Sequence, residues 1–423
     1  MMLSSEDKKA ALLIKLKRFG QEALLTFYDE LEEERKFALL QDIETIDFPL
    51  MERLYRNIGI SGAAAEKEKG EIEPIGCTDL SSMPAEERSR LCRRGLAEIA
   101  AGKLAALTMA GGQGTRLGHP GPKGTFDIGL PSHRSLFEIQ CRGLQKVSAE
   151  AGCSVPWYIM TSHINHEETV SFFAAHDYFG YGKENIFFFR QTMIPAMDRN
   201  GKLLLENKYT VLKSPNGNGG LFASLLQSGG LEDMRRRGVS RIFICGIDNC
   251  LVKMADPLFL GFFEESGKKA AAKSFIKRTA DEKAGVFCKR GGAPCVIEYT
   301  EIPQDLAELK DKNGVWVYGD TNVLNYIFEI DTAVRLAGAG LSYHTAVKKL
   351  EYIDFRTGER AVAADGYKFE RFLFDAFSCL DDMGILRVER TEEFAPVKNP
   401  TGVDSAESAR EMYLNIHKEE NRK

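Results

Sequence analysis

A short apolar run, Lys103–Ala110, ends abruptly in glycine, and no other stretch constrains the fold as tightly. Gly111, Gly112, Gly114 and Gly118 follow it closely, with Arg116 among them and Lys123 just beyond. An apolar segment of this length, bounded by glycines, predicts a buried strand that opens into a loop. Lacking side chains, Gly111, Gly112 and Gly114 let backbone N–H groups approach an anion and adopt positive φ where needed. Arg116 adds fixed positive charge and Lys123 mobile positive charge. Together they form a device for holding a polyphosphate. It is neither of the two commonest such devices. Gly112, Gly114 and Gly118 are spaced one residue too widely for the dinucleotide fingerprint, and no Gly-Lys-Ser/Thr tripeptide exists to finish a P-loop.

Around this loop the chain alternates. Apolar, β-rich runs occur at Val155–Ser162, Asn185–Arg190, Arg241–Asp248, Gly285–Lys289, Val296–Tyr299 and Val315–Tyr318. Helical patterns occupy Ser135–Ala151, His166–His176, Gly220–Gln227 and Leu231–Arg237. Such alternation predicts an α/β fold with a doubly wound, mostly parallel central sheet, whose ligands lie beyond the carboxyl ends of the strands. The first 100 residues read as helical. Leu12, Leu13, Leu16, Leu24 and Leu31 supply apolar faces, Ser4 with Asp7 resembles a capping box, and Glu30–Lys36 reads as a solvated helix face. Ser61–Glu73 reads as a mobile connection, and a helix over Ala85–Ala101 leads into the glycine-loop strand. The expected divisions are a helical region over 1–100, a catalytic domain over 101–395 and a short element over 396–423.

With 423 residues the chain is long enough for two or three structural regions. Its net charge of −5 argues against bulk nucleic-acid binding, so local cations must hold any phosphate. Nine cysteines are scattered without a Cys-x-x-Cys pair, and Cys245/Cys250 and Cys288/Cys295 read as buried thiols. The start lacks an apolar signal core and no run is long enough to span a bilayer, so a reducing cytoplasm and no membrane partner are expected.

The run Ala110-Gly-Gly-Gln-Gly-Thr-Arg-Leu-Gly118 with Pro122-Lys-Gly resembles the nucleotide-binding motif of UDP-sugar pyrophosphorylases, most closely the eukaryotic UDP-N-acetylhexosamine (UDP-N-acetylglucosamine) type. The likeness continues in order through Trp157–Ser162, Gln191–Ala196, Ser214–Gly220, Gly246–Lys253, Val296–Ile302 and Pro396–Asn399. It implies a Rossmann-like nucleotide-diphospho-sugar transferase fold. The implied reaction joins UTP and N-acetylglucosamine 1-phosphate into UDP-N-acetylglucosamine and pyrophosphate, with Mg2+ as cofactor. Two other readings remain: a UDP-glucose or broad-specificity pyrophosphorylase, and a non-catalytic UDP-sugar-binding protein.

The residues suit that chemistry. A sugar phosphate is already a nucleophile at neutral pH, so the site needs alignment and charge stabilisation rather than a base. Arg116 and Lys123 are assigned to the triphosphate, and Lys398 by resemblance alone as a distal cation. Asp248, at a strand's carboxyl end, is the candidate for the metal or the ribose side, with Asn249 in support. The resemblance gives Gly111, Gly112 and Gln191 to uracil. Pro215, Gly217 and Asn218 lie in a second glycine-rich loop, which on composition alone could equally be an ordinary helix entry. Asn218, Glu298 and Asn322 match polar sugar contacts, Gly285 leaves room for the ring, and Tyr299, Phe372 and Phe374 match positions around the N-acetyl group. Taken alone, Phe372 and Phe374 alternate as on a buried strand. His119 reads as incidental to the loop. Two departures from the family pattern stand out: Asp320-Thr321 replace the usual small residues before Asn322, and the C-terminal domain is shortened.

Overall fold

The computed structural model describes residues 5–58 and 70–418. The capping box at Ser4, most of the connection from Ser61 and the last residues of the short C-terminal element lie outside the described residues. The chain forms two compact units, each drawn from three separate stretches of the sequence. The smaller comprises Met1–Lys69, Thr192–Gly219 and Leu341–Phe372; the larger comprises Gly70–Gln191, Gly220–Gly340 and Leu373–Lys423.

In the smaller unit, helices Ser5–Phe19, Glu33–Glu44 and Phe48–Asn57 bury Leu12, Leu16, Leu39, Leu40, Ile43, Phe48 and Met51. Spacings of three and four residues place these on one face of each helix. The Asp47 side chain caps the third helix by accepting from the Leu50 amide at 3.0 Å. Their packing partners, Met197, Leu203, Leu205, Val211, Tyr367 and Phe369, come from much later in the chain. Buried Gln21 joins the two parts, donating to the Gly201 carbonyl and accepting from the Leu203 amide, both at 2.9 Å. A long hairpin, His344–Ile353 with Arg360–Glu370, completes this unit.

The larger unit is built on one sheet. Its strands run in the spatial order Thr78–Asp79, Gly384–Arg387, Ala270–Ile276, Asp320–Glu329, Arg241–Gly246, Leu104–Met109, Trp157–Thr161, Ile186–Arg190. Neighbours are parallel except at Asp320–Glu329, which is antiparallel to both of its neighbours. Leu104–Met109 is buried along its whole length, as a central parallel strand must be. Helices Ala85–Ala100, Leu136–Ala151, His166–Ala175, Leu221–Gln227 and Gly230–Arg236 lie where the pattern predicts them. No helix among the described residues is long and apolar enough to cross a membrane.

Two local expectations are corrected. Val315–Tyr318 is a turn rather than a strand. It makes a single bridge, Trp316 with Lys310, and the Asp311 carboxylate takes the Val315 amide at 2.9 Å. The far end of the expected connection is a strand, since Ile72–Pro74 pairs with Val286–Arg290.

Helices Ala85–Ala100 and Pro257–Ser266 cross at paired glycines. A Cβ on Gly95 would lie 1.8 Å from the Pro257 carbonyl oxygen, and one on Gly261 would lie 1.9 Å from that of Leu91. Backbone cannot yield as a flexible side chain would. Gly95→Ala is therefore expected to cost about 3 kcal/mol of stability, read as a lowered denaturation midpoint.

Candidate active site

The glycine loop is fixed from below before any ligand arrives. The Lys123 amide donates to the Gly112 carbonyl at 3.1 Å and the Gly114 amide to the Gly121 carbonyl at 3.0 Å, closing the loop on itself. Gly118 alone among its four glycines has positive φ, +71°. The others serve close approach. A Cβ on Gly111 would lie 2.6 Å from Gln191 Nε2, and one on Gly114 2.7 Å from His119 Cβ, whereas Gly112 faces open space. His119 is a brace: its Nε2 is 2.7 Å from Thr125 Oγ1 and its ring packs edge-on to Phe126.

Four charged groups converge at this loop. Lys123 is half-buried, and burial holds its ammonium pKa below the usual lysine value; Asp248 pulls the other way, while Lys398 and Arg116 reinforce the depression. Arg116 and Lys398 themselves are exposed. Asp248 reaches this position because its strand, Arg241–Gly246, is parallel to the glycine-loop strand with Gly246 opposite Met109. Lys398 reaches it because its segment is pinned to the Asp248 turn. The Val397 amide donates to the Asp248 carbonyl at 2.8 Å, and buried Asn249 donates to the Glu393 carbonyl at 2.7 Å while accepting from the Ala395 amide at 2.9 Å.

The candidate sugar residues of the larger unit cluster around one hairpin. The Asn322 amide donates to the Gly285 carbonyl at 2.9 Å, and a Cβ on Gly285 would lie 3.0 Å from Glu298 Oε1. Asn322 Oδ1 accepts from the Tyr326 hydroxyl at 2.6 Å. Reversal of strand Asp320–Glu329 brings its first residues, not its last, to the ligand edge. A bulge then follows, with Leu324 at φ +55°. Tyr299 is exposed, and Phe374 is half-buried on a 3-10 turn, Leu373–Cys379, so the buried-strand alternative for Phe372 and Phe374 is excluded. Asp320, the departure beside Asn322, is taken up by Arg387 at 2.6 and 2.8 Å and by the Ser274 hydroxyl at 2.7 Å.

Pro215, Gly217, Asn218 and Phe372 belong to the smaller unit. There the Arg371 amide donates to the Asn216 carbonyl and the Gly219 amide to the Arg371 carbonyl, both at 2.9 Å. Gly217 has φ +75°, and a Cβ on it would lie 2.3 Å from the Arg371 oxygen, so glycine is required. Phe372 packs on His344, ring centroids 4.8 Å apart.

A protein-family model described as UTP–glucose-1-phosphate uridylyltransferase matches residues 63–410. The chain belongs to this family. Among curated relatives, UDP-N-acetylglucosamine diphosphorylase 2 of Arabidopsis thaliana is 38% identical, over 96% of this chain and 84% of the relative. UDP-N-acetylglucosamine pyrophosphorylase of Saccharomyces cerevisiae is 38% identical, over 94% and 88%. The crystal structure of the uridine diphosphate N-acetylglucosamine pyrophosphorylase from Trypanosoma brucei superposes with a TM-score of 0.83 at 30% identity, covering 99% of this chain and 86% of that one.

Within this uridylyltransferase fold, two buried amides escape the sequence reading. Asn165 donates to the carbonyls of Ala110 and Gly112 at 2.9 and 3.2 Å, and its Oδ1 accepts from Ser162 N and Oγ at 2.7 and 2.9 Å. Gln140 donates to the Gly246 carbonyl at 2.9 Å and accepts from the Thr108 hydroxyl at 2.8 Å, tying the Asp248 strand to the glycine-loop strand. A polar residue at a helix entry, as at Ser162-His-Ile-Asn165, is the one local signal from which Asn165 could have been found.

Proposed function

We propose that this chain transfers the uridylyl group of UTP to N-acetyl-α-D-glucosamine 1-phosphate, yielding UDP-N-acetylglucosamine and pyrophosphate. The observation that carries the reading is the field at Lys123, where Arg116, Lys398 and Asp248 act on one half-buried amine beside a glycine loop. The names of the relatives supply the sugar. A phosphate oxygen of the sugar phosphate attacks the α-phosphorus of UTP in line. The bond from that phosphorus to the oxygen bridging to the β-phosphate breaks, and pyrophosphate leaves with the electron pair. Lys123 holds the α-phosphate, while Arg116 and Lys398 offset the repulsion between the two anions and the charge on the leaving group. Gly111, Gly112 and Gln191 hold uracil. In the larger unit, Glu298 and Asn322 hold sugar hydroxyls beside Gly285, and Tyr299 and Phe374 wall the acetamido methyl.

Mg2+ fits this donor set. Among the described residues no three His, Cys, Asp or Glu side chains gather into a metal cage. Asp248 offers a single hard carboxylate, which suits an ion that keeps waters and shares phosphate oxygens. Bound there, Mg2+ would neutralise charge on the triphosphate. None of the nine cysteines is in a disulfide, which supports a reducing, cytoplasmic setting.

The test is the rate of pyrophosphate release with each sugar phosphate. N-acetylglucosamine 1-phosphate is expected to exceed glucose 1-phosphate in kcat/KM by about tenfold or more, the scale of one well-filled apolar subsite. The reverse order would replace this sugar with glucose, the sugar in the family model's description. Release with neither would leave a binding protein.

A further inference from the structure

Cys288 and Cys295 face each other across the hairpin Val286–Arg290/Ala293–Ile297 as direct register partners, with their sulfurs 3.3 Å apart. The two strands are joined by Gly291 and Gly292, both at positive φ, the two-residue turn that matches strand twist. Counting outward from that turn, Cys288/Cys295 is a hydrogen-bonded pair, for which Cα atoms stand about 5.5 Å apart. That lies within the Cα range of disulfides, while the Cβ atoms of such a pair stand wider than the ~3.8 Å a disulfide takes, so closing the bond changes the twist of the hairpin. Cys288 is buried with Val286, Ile297 and Tyr318, while Cys295 is half-buried at the edge of this cluster. The remaining thiols lack this arrangement: Cys245 and Cys250 lie against Met254 and the Ala395 carbonyl, respectively.

We propose that Cys288 and Cys295 are a reversible dithiol–disulfide modification site that locks the hairpin carrying Gly285 and Glu298. The oxidant is a small-molecule disulfide. The more accessible Cys295 attacks it as the thiolate, one sulfur–sulfur bond breaks, and one small thiol departs with the electron pair. Cys288 then gives up its proton and attacks Cys295 sulfur in the mixed disulfide, releasing the second small thiol. Two protein thiols are oxidised and one disulfide is reduced to two thiols. The order follows from the burial of Cys288, whose thiol is also held protonated by its hydrogen bond with Cys295 and by that burial.

The consequence for catalysis rests on the function proposed above. Gly285 precedes Cys288 by three residues and Glu298 follows Cys295 by three, so the cross-link stiffens the strand ends that hold the sugar. The opposite face of the hairpin carries Phe287 and Val296, and a Cβ on Gly285 would meet Val296 Cγ1 at 2.6 Å, so a change of twist reaches the sugar side directly.

The full chain is incubated with oxidised glutathione, digested without reduction and mapped by mass spectrometry. A peptide linking Cys288 to Cys295, absent in Cys288→Ser and Cys295→Ser and lost on adding dithiothreitol, is expected. A stable glutathione adduct on Cys295 without the link, or no reaction, overturns the site. In the linked protein, KM for the sugar phosphate is expected to shift threefold or more while KM for UTP holds. Unchanged kinetics after complete linkage would refute the lock. If the reduced chain transfers no uridylyl group, the functional reading fails, but the mapping still decides the thiol chemistry.

Discussion

Lys123→Ala lowers turnover by about 10³-fold, the loss expected when one preorganised charge at a transferring phosphate is removed, and leaves the melting temperature equal or higher. Both halves of this expectation come from the same field. Burial, reinforced by Lys398 and Arg116, holds the Lys123 pKa below 10.5 against the pull of Asp248. The folded protein therefore carries a charged amine at a cost at neutral pH. That cost is present below the folded pKa and eases as pH rises toward the unfolded value. Alanine removes it. Bound triphosphate reverses the balance, because the amine then keeps its proton beside an anion. UTP affinity should accordingly fall as pH rises through the depressed Lys123 pKa, with proton uptake on binding in that range. Calorimetry in two buffers of different ionisation enthalpy measures the uptake, which should vanish in Lys123→Ala. Wild-type turnover in that variant would remove Lys123 from the reaction.

Lys273→Met is expected to destabilise the larger unit by about 3–5 kcal/mol, the range for a buried charge stripped of its partner. Lys273 is 1% exposed and bridges Asp256, at 2.6 Å, and Glu393. Burial alone would raise the Asp256 pKa and lower that of Lys273. Their mutual attraction more than reverses both, leaving Asp256 low and Lys273 high. The stabilisation is thus present from above the depressed Asp256 pKa up to the raised Lys273 pKa. With methionine in place, two buried carboxylates face each other and lean on Lys253, 3.0 Å from Glu393. The stability gap to wild type should narrow as pH falls and Asp256, left with burial raising its pKa, takes up a proton. Thermal melts from pH 5 to 8 measure it; a gap independent of pH would show that lost packing, not charge, is responsible. Turnover should fall as well, since the Glu393 carbonyl is one of the anchors of the Lys398 segment.

What was legible in the sequence was what is local. The glycine loop, Arg116 and Lys123 are consecutive, and Asp248 ends an unbroken apolar strand, so spacing and pattern suffice. What was not legible depends on distant partners. Ala270–Ile276 is a central strand, yet three alanines and a lysine give it no alternation. It tolerates Lys273 only because Asp256 and Glu393, 17 and 120 residues away, neutralise it. The N-terminal helices showed their apolar faces but not what covers them, which is supplied by residues beyond 190. Phe372 and Phe374 alternate as a strand would, but strand pairing ends before them and the chain turns at Leu373. Asn165 bears on the loop as directly as any glycine does, through hydrogen bonds that no spacing rule encodes.

Strand Asp320–Glu329 runs against its neighbours, and Ile276 and Asp320 are register partners at the ligand edge. The intervening segment, 277–319, therefore leaves and re-enters the sheet at one point, with no crossover to the far side. It holds Gly285, Glu298, Tyr299 and the Cys288/Cys295 hairpin. Within it, strand Val286–Arg290 pairs with Ile72–Pro74 and meets strand Asp320–Glu329 only through Val286 opposite Thr321. The excursion thus carries the candidate residues Gly285, Glu298 and Tyr299 on a stretch of chain separate from the glycine loop that bears Arg116 and Lys123, so a change in one need not rebuild the other.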